Sequence, residues 1–237
     1  MIDTIKSKRK LWSAELVTAL GIITLVVLML TMVMHHPVAG QKNAAAVVAS
    51  IAAQASAIRF VHGTVAVAMT LMTSLMLGFA IRLDITRPHI LLGAVSSGVA
   101  LIMICLAVLL DGFVASELSI QCATSGVDCA DSAQMLLRYS AFQIEFLTRF
   151  GLLALATTTG LWASDLILRK DGARVFGALG LLSAIVQLSL LLTGDRLNPH
   201  NLQWIVTAQM LWYVSVGAMI IFRKGPYIAR ERARFVE

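Results

Sequence analysis

Charge is what this chain has least of. Only 14% of its 237 residues are Asp, Glu, Lys or Arg, against 58% hydrophobic, whereas a soluble domain carries about 25% charged residues. That imbalance argues against an ordinary water-soluble globule and makes a bilayer the natural solvent. A membrane helix takes about 20 largely apolar residues, so six spans with short loops use nearly the whole chain. No room is left for a separate soluble catalytic domain. Cysteine is scarce as well, with three in the chain. Cys105 lies in an apolar run and reads as core packing. Cys122 and Cys129 share a polar loop, but their spacing is not that of a zinc knuckle and there is no second pair. If that loop faces an oxidising compartment, a disulfide between them is expected. Gly-rich phosphate loops, paired catalytic motifs and nucleophile elbows are all missing, as is a convincing internal repeat. Three plus three helices would be compatible with an inverted repeat, but no residue pattern supports one. The net charge of +6 does not point to nucleic acid, because the basic residues flank hydrophobic segments.

What is present is a series of apolar segments, at about 12–35, 61–82, 90–111, 142–164, 175–194 and 203–222. They predict an all-α polytopic membrane protein, a single domain over 1–237 with six transmembrane helices in an up-down bundle. The first apolar run is longer than a signal-peptide core and reads as a retained span. The alanine-rich stretch 43–59 predicts a helix at the outer interface, or one continuous with the second span. Residues 114–133 read as an outer loop holding the cysteine pair. The ends, 1–11 and 223–237, are basic. With the N-terminus inside, 14 of the 19 Lys and Arg residues fall on inner segments. Both termini are therefore expected in the cytoplasm of a bacterial inner membrane, with the cysteine loop outside. The basic tail is expected to lie on anionic headgroups.

Counting about 20 residues outward from each inner end brings a polar or ionisable group to the outer boundary on all six spans. These are His35 (with His36 beside it), His62, Asp111, Glu145, Asp195 and, with Gln203, His200. Ionisable groups at that depth are costly unless solvated, paired or used. Two readings follow. One is a site in which His35, His36, His62, His200, Asp111 and Asp195 hold a transition metal, for which zinc, copper and iron suit imidazole and carboxylate ligands. A haem between two histidines is its less favoured variant. The other reading is the edge of the lipid, which places polar residues at equal depth by itself.

Glu145 and Arg149 share one helix face, and Arg149 lies too deep for the boundary to explain. It predicts an intramembrane ion pair, which either lines a polar cavity or locks helices together. Gln187 and Gln209 are expected to bond between helices rather than line a cavity. The methionine stripes, Met29 and Met32 on one segment and Met69, Met72 and Met76 on another, read as packing, with copper ligation as the alternative. Trp12, Trp162, Trp204, Trp212 and Tyr213 are expected mostly as boundary anchors, and His89, after Pro88, as structural.

The alanine-rich stretch leading through Arg59 into the second span, Asn43 to His62, and the ending Trp212 to Gly225 resemble a group of bacterial six-helix membrane proteins, a domain of unknown function. The resemblance implies the six-span topology. It carries no activity and no site residue. Three functions remain open at this point: a membrane protein with an outward-facing polar site that binds a metal or cofactor, a non-catalytic subunit among other membrane subunits, and a small transporter. The bilayer is the expected partner in each, and nucleic acid in none.

Overall fold

In the computed structural model of the protein the described residues are 2–34, 43–125, 129–169, 172–193, 197 and 199–222; the side chains of 2–13, 130 and 199 are not among them. All secondary structure among the described residues is helical. The α-helices are α1 (Ile2–Met34), α2 (Ala44–Leu83), α3 (Pro88–Leu109), α4 (Ala115–Ser125), α5 (Cys129–Leu168), α6 (Ala173–Leu192) and α7 (Pro199–Ile221). One π-helical turn, Leu110–Val114, joins α3 to α4. Six of these rods are long and apolar enough to cross a membrane.

Local chemistry marks several ends. Asn43 caps α2, its side-chain oxygen accepting the Ala46 N–H at 2.7 Å. Pro88 opens α3, where its missing N–H costs nothing. Between them Asp84 takes a left-handed backbone, φ 89°. That conformation is uncommon outside glycine but tolerated by aspartate. Its side chain accepts from both the Thr86 N–H and hydroxyl.

The helices are longer than the spans they contain. α2 and α5 each run 40 residues, about 60 Å at 1.5 Å per residue, twice the hydrocarbon thickness of about 30 Å. The stretch 43–59 is thus the N-terminal part of α2 itself. Residues 115–125, expected as loop, are helical. Together α2, α4 and α5 pack as a three-helix headpiece at one end of the bundle.

Consecutive rods pack side by side, α3 directly on α5 with α4 as an outer extension, and α7 returns to α1, so the bundle closes on itself. Without a hydrophobic drive inside lipid, helices associate through close packing and hydrogen bonds, and the α3–α5 seam has both. Trp162 Nε1 donates to the Ile90 carbonyl at 3.1 Å, the Thr158 hydroxyl to Gly93 at 3.0 Å, and Ser96 to Ala154 at 2.9 Å. A Cβ on Gly93 would overlap the Trp162 indole.

The aromatic core lies deeper than the sequence implied. Trp162, Trp212 and Tyr213 are buried rather than anchored at the boundary, while Trp204 is exposed. Phe79 meets Trp162 and Trp212 edge-on, with ring centroids 6.0 and 6.2 Å away. Glycine makes this possible: a Cβ at Gly180 would sit 2.5 Å from Trp212 Cζ3. The methionines Met29, Met69, Met72 and Met76 are buried in the same core, as packing. Gln209 accepts from the Thr159 hydroxyl of α5 at 3.2 Å, the expected interhelical bond. Gln187 instead donates to Ser183 on its own helix, and its buried Oε1 has no hydrogen-bond partner among the described residues.

Candidate functional site

The π turn is where this end of the bundle acquires chemistry. A π turn adds a residue to the helix and shifts the faces beyond it, and such bulges recur at functional sites. Here it presents Asp111 toward α2 and sets Gly112 against His62. A Cβ on Gly112 would overlap His62 Cβ and Cγ, so the close approach requires glycine at that position.

His62 is 5% exposed. Its Nδ1 lies 2.7 Å from the Ile58 carbonyl oxygen, and its Nε2 lies 3.0 Å from Asp111 Oδ2. A carbonyl only accepts, so Nδ1 carries a hydrogen. Nε2 and the carboxylate then face each other, and a hydrogen bond between them needs one more proton. Either His62 is imidazolium beside a carboxylate, or a neutral imidazole accepts from a carboxylic acid. In both forms the pair holds one shared proton. Asp111, with a side chain 40% exposed, is the member open to the surroundings.

One turn farther out on α2, Arg59 Nη2 donates to Glu117 Oε2 of α4 at 2.6 Å. The two cross-links pin the N-terminal half of α2 along the π turn and α4. Cys122 also packs inward here, in a small cluster with Val48 and Ala133, and Cys129 lies against it. The expected disulfide is not formed: Cys122 and Cys129 are separate thiols. Helix 115–125 buries Cys122 against α2 rather than holding it in an open loop.

Of the expected ring, then, the structure brings His62 and Asp111 together. His200 sits on α7, where its Nε2 accepts from Trp204 Nε1 at 3.2 Å. His35, His36 and Asp195 lie outside the described residues. Among the described residues no three His, Cys, Asp or Glu side chains are grouped to hold a metal. Both ring nitrogens of His62 are already engaged, so it could ligate a metal only after one of these bonds opened. The predicted Glu145–Arg149 pair is present at 3.6 Å, both side chains partly buried. Glu145 Oε1 also accepts the Leu197 N–H at 3.2 Å, tying α5 to the α6–α7 connection.

A second polar centre escaped the sequence reading. Asp165, near the C-terminal end of α5, is 3% exposed. Arg169 grips its Oδ2 through Nε at 3.0 Å and Nη2 at 2.9 Å. Arg87 reaches Oδ1 at 2.8 Å and His89 at 3.3 Å, which makes His89 structural, as expected. Two guanidinium groups and an imidazole from two helix ends thus converge on one carboxylate. The i,i+4 spacing of Asp165 and Arg169 was the available sequence signal. The Arg87 and His89 contacts span more than 70 positions and had none.

Compared with protein-family models, curated proteins and solved structures, the chain finds no match.

Proposed function

We propose that this is a multi-pass protein of a bacterial inner membrane, its helices alternating up and down with both termini cytoplasmic, whose His62–Asp111 pair is a proton-binding site addressed from the outer side. The distribution of Lys and Arg, 14 of 19 on one set of segments, supports the orientation. The observation that carries the site is the hydrogen bond between His62 Nε2 and Asp111 Oδ2 at 3.0 Å, with Nδ1 already committed to Ile58. Such a pair gives up or accepts one proton without leaving a bare charge on the buried imidazole. The half-exposed carboxylate provides the route. Its chemistry is that of an acid–base pair acting on a polar group of a ligand that arrives from outside.

The test is histidine-selective ¹⁵N NMR of the full-length protein in nanodiscs. The expected result is a His62 ring protonated at Nδ1 throughout, whose titration midpoint moves when Asp111→Asn is introduced. An unchanged midpoint, or a ring protonated only at Nε2, would refute the shared-proton site. Stoichiometric metal in the purified protein that disappears in His62→Ala would replace the proton by a metal.

A further inference from the structure

Around and beyond its outer boundary, α5 exposes a run of large apolar side chains. Asp165 marks the inner boundary, and about 20 residues, or 30 Å of helix, cross the hydrocarbon. Glu145 is therefore near the outer boundary, and Met135 lies about 15 Å beyond it. An average tilt of about 20° shortens that by only a few ångströms. Yet Met135 is 75% exposed, Tyr139 63% and Phe142 70%, with Leu136 beside them and Phe146 and Phe150 continuing into the lipid.

The other headpiece helices behave differently. Between 44 and 57, α2 exposes Ala45, Ala49, Ala53, Gln54, Ser56 and Ala57, and α4 exposes Glu117, Gln121 and Thr124. Those faces suit water. A run of large apolar side chains rimmed by polar surface marks an interaction site. Its steps, 135, 139, 142 and 146, alternate four and three. That is the 3.5-residue spacing with which one straight helix packs along another.

We infer that this stripe is the interface of a homodimer, formed by α5 against α5 of a second copy. Insertion gives every copy the same direction and depth in the membrane. A twofold axis along the membrane normal therefore sets the stripe against itself, parallel and in register, as a self-complementary interface requires. The area is sufficient. Four aromatic side chains of about 150–250 Å² each, exposed to these degrees, with Met135 and Leu136, offer on the order of 600 Å² per protomer. The pair would then bury about 1,200 Å², the lower limit of a stable specific interface. The same helix carries Glu145 and Arg149, so association would bear on the rigidity of the outer half of the bundle.

The experiment is mass photometry of the full-length protein in nanodiscs large enough for two copies, at several protein-to-disc ratios. The wild type is expected as a dimer. Tyr139→Glu with Phe142→Glu should halve the protein mass per disc, and Ala53→Glu, on the water-facing side of α2, should leave it unchanged. Far-UV circular dichroism and a retained cooperative melt would show that the double variant is folded. If it is not, Phe142→Ser alone replaces it, with a more than tenfold loss of dimer expected. A wild type that is monomeric at all ratios would overturn the inference. So would a dimer indifferent to these substitutions, or a stripe shielded in the monomer by residues 35–42. A different protein found covering the stripe in place of a second copy would overturn it as well.

Discussion

Replacing Asp165 by Asn keeps the shape of the side chain and removes the charge that Arg87 and Arg169 share and His89 contacts. The carboxylate is 3% exposed, so it depends on its protein partners. Breaking a buried ion pair by removing one member costs about 3–5 kcal/mol, because the other is left uncompensated. Arg169 stays mostly buried, its side chain 23% exposed. Arg87 and His89 are nearly half exposed, at 48% and 41%, and can recover water. The lower end of the range therefore applies, about 3 kcal/mol. In a chain of this size 1 kcal/mol moves the melting temperature by roughly 2–4 °C, so Asp165→Asn should lower it by about 6–12 °C. Intrinsic tryptophan fluorescence during heating, in detergent and in nanodiscs, reads this through Trp162 one turn away. Asp84→Asn, at an exposed carboxylate that also contacts Arg87, is the control. A loss below 2 °C, or one no larger than the control's, would refute the idea that Asp165 ties the α2–α3 connection to α5. Adding Arg169→Gln to Asp165→Asn should cost less than the sum of the two single losses.

Four further outcomes are expected. Gly180→Ala should destabilise by about 1–3 kcal/mol, because the new methyl would lie 2.5 Å from Trp212 and 2.7 Å from Ala163 Cβ. Gly78→Ala, with no described atom within 4 Å, should be neutral or slightly stabilising in a chemical-unfolding titration. Asp84, outside the spans, has its carboxyl held below the usual range chiefly by the Thr86 hydroxyl, with the Thr86 N–H and Arg87 assisting. A depressed folded value means that its small contribution is present above about pH 4 and is lost as pH falls through that lowered value. Asp84→Asn should therefore flatten the acid limb of melting temperature against pH, and an unchanged limb would refute this. Finally, a membrane-impermeant maleimide should reach Cys129 from outside intact spheroplasts and modify it faster than Cys122, which is 2% exposed. Labelling only after the cells are opened would reverse the proposed orientation.

The spans were legible because apolar length is counted directly along the chain. That His62 and Asp111 lie toward the same end of neighbouring helices was legible for the same reason, since position along a rod follows from counting residues at 1.5 Å each. Their pairing was not. It depends on the π turn, and a π turn is a register shift in hydrogen bonding that no residue pattern here announces. The continuation of α2 and α5 beyond the lipid was only half visible, because the alanine-rich stretch was readable as an interfacial helix or as part of the span. Trp162 and Trp212 misled for an instructive reason. Tryptophan favours boundaries when its N–H needs water, but Gly93 and Gly180 open room inside, and the Ile90 carbonyl satisfies Trp162.

Composition and apolar length by themselves determined the solvent and the number of spans, because those are properties of one segment at a time. Which polar groups meet was decided by the tertiary structure. Asp165 gathers Arg87, His89 and Arg169, and His62 finds Asp111, through contacts between helices whose rotation about their own axes is set by glycine, indole and a single π turn. Rotation is a property of the packed bundle, and a helix read alone has none.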